Sequence, residues 1–284
     1  MTRAGAILIL LVLSSVAKGE ERKVAGTEYH SPYSVEFTVP RAELVHDLDH
    51  TERGDARLEA EIPHGEWYSH ATRDRWKGWG PPARSYPPPA LSEGRSAQWK
   101  RERALAVGLR FTGYGYQHHH IPDWNPPADW PWKETAVGHN GKGVDCSNFT
   151  GFVYNLAFGI RLSTDVHRQA EQRRAPVPRA KSEVPLHHVA LPTDFDERAR
   201  DLRTGDLLFI RDGKGEHISH VVLWVGSIGR SPDDTLLILD SHGEGVKDSD
   251  GKHIPAGIQL RPYRKSSWYF RQSSHALRVF PDEK

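Results

Sequence analysis

The sequence predicts an α+β fold in which a buried helix, carrying a cysteine at its N-terminal end, packs on an antiparallel sheet. Three observations predict it. Phe149, Phe152, Val153, Leu156 and Ala157 recur at i, i+3, i+4, i+7 and i+8, the apolar stripe of a buried helix. From Asp206 onward, short apolar runs separated by glycine turns follow one another, which indicates segregated α and β elements rather than a parallel sheet. The 284 residues are 37% hydrophobic and 10% aromatic, enough for a packed core, and they show no repeat, heptad or collagen period.

Charge and cysteine content narrow the function. Lys and Arg total 38 against 37 Asp and Glu, so no strong field exists to recruit nucleic acid or an anionic membrane. The one cysteine cannot close an intramolecular disulfide, and a four-cysteine zinc site is excluded.

Taken in order, residues 1–19 read as a secretory signal: Arg3, an apolar run from Ala6 to Leu13, then small residues with Ala17 and Gly19 at peptidase spacing. The run is too short to span a bilayer, so the mature protein is expected in the periplasm, cell envelope or medium without a membrane span. Residues 20–95 form an N-terminal extension, polar up to about 78, with a possible strand at Tyr33–Val39. Its proline-dense end, within 80–91, is expected to be extended, either as a linker or as chain hugging the domain wall. A helical pattern from Ser96 to Val107 opens the main domain, 96–284, and an aromatic stretch from Phe111 to Trp132 holds His118, His119 and His120. Asp145 and Ser147 can cap the helix that follows, and Gly159 can end it. The charged residues 160–204 read as an insertion or long loop with a helix around Asp165–Gln172. Strands are expected at Asp206–Ile210, Ile218–Val225, Leu236–Asp240, Ile258–Leu260, Trp268–Phe270 and Ala276–Val279.

Cys146 carries the chemistry. In an oxidising compartment an unpaired thiol is a hazard unless it is deeply buried or useful. Its place on the buried face, at the positive end of the helix, suits a thiolate. A thiol nucleophile needs a base, and the base needs an orienting group. His220 begins the apolar strand HVVLWVG and shares a face with Val222 and Trp224. On the next strand Asp240 and His242 share a face, and either can accept the second ring N–H of His220.

The segments VDCSNFTGFVYN, TGDLLFI, HVVLWVG and ILDSHGEG, in this order, resemble the NlpC-type cysteine peptidases of bacterial cell walls, a papain-like family. The resemblance implies a papain-like fold with Cys146 as nucleophile, His220 as base and Asp240 or His242 as the third polar residue. Position favours Asp240; residue type favours His242. It also implies that Tyr116, or else Tyr114, lines the oxyanion side, and that Asp145 and Ser147 help bind substrate. Relatives commonly carry Gly at the position of Asn148 and a Gly pair where His118–His120 stand. The implied activity is hydrolysis of peptidoglycan stem peptides at D-glutamyl–diamino-acid bonds; a monomer without metal or cofactor is expected. Two rivals remain: a metal-dependent peptidase using His118–His120 or the His217/His220 pair, and a non-catalytic wall-binding module. No His-Glu-x-x-His motif supports the first.

Overall fold

The computed structural model describes residues 29–50, 61–67, 69–77, 84–116, 144–243 and 245–282. The expected signal segment, part of the proline-dense stretch, and His118–His120 with most of the aromatic run lie outside the described residues. Among the described residues, no helix is long and apolar enough to cross a membrane.

The centre is an antiparallel six-stranded sheet in the order β4–β10–β5–β6–β8–β9. Its strands are β4 (His187–Ala190), β5 (Leu207–Arg211), β6 (Ile218–Trp224), β8 (Leu236–His242), β9 (Gly257–Tyr263) and β10 (Ser273–Arg278). Two short pairs flank it: β1 (Ser34–Val35) with β7 (Gly229–Arg230), and β2 (Arg174–Val177) with β3 (Ser182–Pro185). Alternation along the strands sends residues to two buried faces. Leu207, Phe209, Val221, Leu223, Leu237 and Leu239 join one core; Leu208, Ile210, Val222, Trp224 and Ile238 join the other.

The helices are α1 (Arg41–Val45), α2 (His70–Trp76), α3 (Ala97–Leu109), α4 (Cys146–Phe158), α5 (Val166–Glu171), α6 (Phe195–Asp201) and α7 (Trp268–Arg271). The first core takes α3 and α4, and the second takes residues of α6 and α7. Ser96 caps α3 by accepting the Trp99 N–H, and Gly159 closes α4 in the left-handed conformation at φ 70°. A side chain at Gly159 would meet the Tyr86 carbonyl at 2.4 Å. The described end of the proline-dense stretch therefore hugs the domain wall. Asn155 fixes it there, donating to the Arg84 carbonyl and accepting the Tyr86 N–H.

Three expectations need correction. The helix expected around Asp165–Gln172 is α5, but the rest of 160–204 is not a loop: it holds the β2–β3 hairpin and α6, and β4 pairs with β10 as an edge of the main sheet. Short elements of mixed charge leave no periodicity long enough to read. Trp268–Phe270 is a helical turn, because the Ser267 hydroxyl accepts the Phe270 N–H and overrides the aromatic bias toward strand. Of Tyr33–Val39, only Ser34–Val35 is strand, held to β7.

Candidate functional site

The start of α4 is organised by Asp145. Its carboxylate accepts the Asn148 backbone N–H at 2.8 Å and the Asn148 side-chain N–H at 2.9 Å. Ser147 is not the cap; its hydroxyl donates to the Thr164 carbonyl at 2.7 Å and ties the helix to the turn before α5. Cys146 is the first helical residue, where unpaired backbone N–H groups stabilise an anion. It opens on a cavity of about 380 Å³ lined by Tyr116, Asp145, Ser147, Asp165, Val166, His167, His217, Ile218 and Ser219.

His220 reaches Cys146 from β6, where strand pairing breaks down. The β6–β8 ladder holds Leu223 to Leu239 and Trp224 to Ile238; continuing that register sets His220 opposite His242. Within the splayed end, His220 Nε2 donates to Asp240 Oδ1 at 2.8 Å, and both residues are buried. With Nε2 taken, Nδ1 is the ring nitrogen left to face Cys146, whose thiol acts electrostatically on the imidazole. Burial alone would lower the His220 value; the Asp240 carboxylate and Cys146 outweigh it and push it up to about 10. Burial likewise resists ionisation of Asp240, but His220, with His242 and Arg261, holds its carboxyl down to about 2.

Asp240, not His242, is the group hydrogen-bonded to His220. The His242 ring stands edge-on to His220, with centroids 4.9 Å apart, and its Nδ1–H donates to the Gly243 carbonyl at 3.1 Å. Burial lowers the His242 value, so this ring is neutral at pH 7. Tyr116 lines the cavity, its phenol pushed up by burial and by Cys146, Asp145 and Asp240; it therefore keeps its proton and can donate. Tyr114 instead offers its backbone carbonyl to the Ile258 N–H. His217 sits on the exposed cavity rim. Among the described residues, no cluster of three or more His, Cys, Asp or Glu has metal-holding geometry.

Two side chains that face Asp240 carry no clear signal in the sequence. The Tyr269 hydroxyl donates to Asp240 Oδ2 at 2.6 Å, and Arg261 Nε lies 3.7 Å from the same oxygen. Tyr269 was hidden in an apolar triplet that reads as strand. Arg261 was hidden just beyond a strand read too short. The arrangement as a whole sets a thiol beside an imidazole oriented by a carboxylate, which permits proton transfer and attack on an acyl carbon.

Fold and site together define an α+β domain in which a helix N-terminus bearing a cysteine meets the open end of an antiparallel sheet. The NlpC/P60 family model matches residues 135–272, a segment that holds Cys146, His220 and Asp240. The chain is also similar to a solved NlpC/P60 family protein from Bacillus cereus ATCC 10987 at 20% identity and a TM-score of 0.37. The similarity covers 69% of this chain and 42% of that one, so this chain spans less than half of that protein's length. No curated protein matches the chain.

Proposed function

We propose that the protein is an exported cysteine hydrolase that cuts amide bonds in peptidoglycan stem peptides, of the D-glutamyl–diamino-acid endopeptidase type. One observation carries the reading: a buried His220, held by Asp240 at 2.8 Å, acts electrostatically on a cysteine that opens on a cavity. In the proposed mechanism the Cys146 thiolate attacks the amide carbonyl carbon. The Cys146 N–H and the Tyr116 hydroxyl receive the oxyanion. Imidazolium His220 protonates the leaving amine, then takes a proton from the water that attacks the thioester. The carboxylic acid leaves and the thiolate is restored. Asp145 and Ser147 border the cavity and would meet the substrate flanking the cut. The mature chain acts as a monomer on the wall and needs no metal or cofactor in this reading.

The test is digestion of a muropeptide mixture by the purified protein, with products identified by mass. Cleavage between D-glutamate and the diamino acid, abolished by Cys146→Ser and by iodoacetamide but indifferent to a chelator, is the expected result. Chelator-sensitive cleavage would replace the thiol route with a metal one. An inert thiol with no cleavage would leave a wall-binding module.

A further inference from the structure

The mechanism so far uses one oxygen of Asp240 and leaves open what governs the other. Asp240 is wholly buried, and a buried carboxylate can turn about its side chain or take a proton whenever His220 becomes neutral between proton transfers. Its neighbours oppose both events. His220 faces it from β6, His242 from its own strand, Arg261 from β9, Tyr269 from α7 and Tyr116 from the chain before α4. Tyr269 is itself buried; burial first, then Asp240, pushes its phenol well above the ordinary range, so it always offers a hydrogen. Arg261 is fully buried and its Nη2 is fixed by the carbonyls of Pro255 at 2.9 Å and Gly257 at 3.3 Å. Its Nε and Nη1 have no hydrogen-bond partner, so toward Asp240 it acts as a charge rather than as a hydrogen-bond donor. Tyr269 demands an acceptor at the Oδ2 position, and the Arg261 charge favours an anion there.

Resting on the proposed thiol–imidazole chemistry, we propose that Tyr269, backed by Arg261, is the positioning residue of the pair: it pins Asp240 Oδ2 so that Oδ1 stays an anionic acceptor for His220 throughout the proton transfers. A loosened or protonated Asp240 would support imidazolium less well. Cys146 reactivity would then fall at low pH, where imidazolium His220 must support it, and hardly at all at high pH.

The experiment reads the rate of Cys146 alkylation by iodoacetamide against pH, which needs no substrate. Tyr269→Phe should slow it about ten-fold at pH 6, the scale of one charge-assisted hydrogen bond, and less than about two-fold at pH 9.5. In an Asp240→Ala background, Tyr269→Phe should add nothing. A merely structural role would lower the rate by one factor at every pH, and that result overturns the proposal. A second variant stands apart from the folding of Tyr269→Phe. In Asp240→Asn, Tyr269 and Arg261 should hold the amide oxygen and turn its NH₂ toward His220 Nε2, donor against donor. Alkylation at pH 6 should then be slower than in Asp240→Ala, and a rate equal to or above it refutes the pinning. If wild-type Cys146 is inert, the proposed function and this inference fall together. If it is reactive but Tyr269→Phe leaves its pH profile unchanged, only the inference falls.

Discussion

At the residue scale, a histidine base is useful only when one ring nitrogen is held so that the other points at the nucleophile. His220 meets that condition through Asp240, while His242 spends its Nδ1–H on a backbone carbonyl and offers His220 only a ring edge. Asp240→Ala should therefore lower kcat/KM on a muropeptide by roughly 10²-fold, the lower range for a group serving acid–base catalysis. His242→Ala should stay within about three-fold, since it loses one edge-on ring contact. A steady-state comparison of the two variants checks this; the reverse ranking would return the third position to His242. The ambiguity between them was real in the sequence, because residues two apart on a strand share a face and residue type gives no register. Only the splay of β6 from β8 decides which one reaches the ring.

At the scale of elements, the helix bearing Cys146 and the strand bearing His220 are legible because each follows a clean period. Phe149, Phe152, Val153 and Ala157 of α4 are buried as the stripe requires, and Asp145 and Gly159 bound the helix. What joins the far wall of the cavity to the sheet was not legible, since it rests on backbone proximity. Gly113 N–H donates to the Ile258 carbonyl, Ile258 N–H donates to the Tyr114 carbonyl, and Gly257 at φ 106° lets the two segments touch. A Cβ at Gly257 would stand 2.1 Å from the Tyr114 carbonyl oxygen. Gly257→Ala should thus push residues 113–116 off the edge of β9 and draw Tyr116 away from the cavity. The expected cost is at least about 2 kcal/mol by urea unfolding, with a lowered kcat. Gly213→Ala, with open space around it, is the control and should leave both unchanged.

At the scale of the whole molecule, the N-terminal segment and the site belong to one core. Tyr33, Leu44, Val45, Leu48 and Trp67 are buried in the same cluster as α3 and α4. Arg103 of α3, fully buried, donates to both Asp47 carboxylate oxygens at 2.8 and 2.7 Å, to the Leu44 carbonyl and to the Ala157 carbonyl near the end of α4. Composition gave no hint of this, because a polar stretch with one short strand reads as an appendage until its few apolar residues are seen to face a common partner. Asp47→Ala leaves a buried guanidinium short of its anion and should cost about 2–3 kcal/mol in urea unfolding, somewhat below a fully buried pair because Asp47 is partly exposed. Glu36→Ala, which breaks only the exposed pair with Arg230, should cost less than about 0.5 kcal/mol.

Global stability should also record the protons held at the site. The folded chain raises His220 above the value of about 6.5 it has when unfolded, so its contribution is full below that pH and fades as pH climbs toward about 10. Asp240 runs the other way: depressed on folding, it stabilises above about pH 4, and that contribution is lost as pH falls toward about 2. Both act together only between roughly pH 4 and 6.5. The double variant His220→Gln/Asp240→Asn removes both titrations while leaving the other groups of the protein in place. Subtracting its unfolding free energy from that of the wild type, pH by pH, should give a difference that peaks inside that window and narrows toward pH 9.5 and toward pH 3. A difference that stays flat across the range would mean that the pair binds its protons no differently in the folded and unfolded chain, and that no buried imidazolium stands beside Cys146.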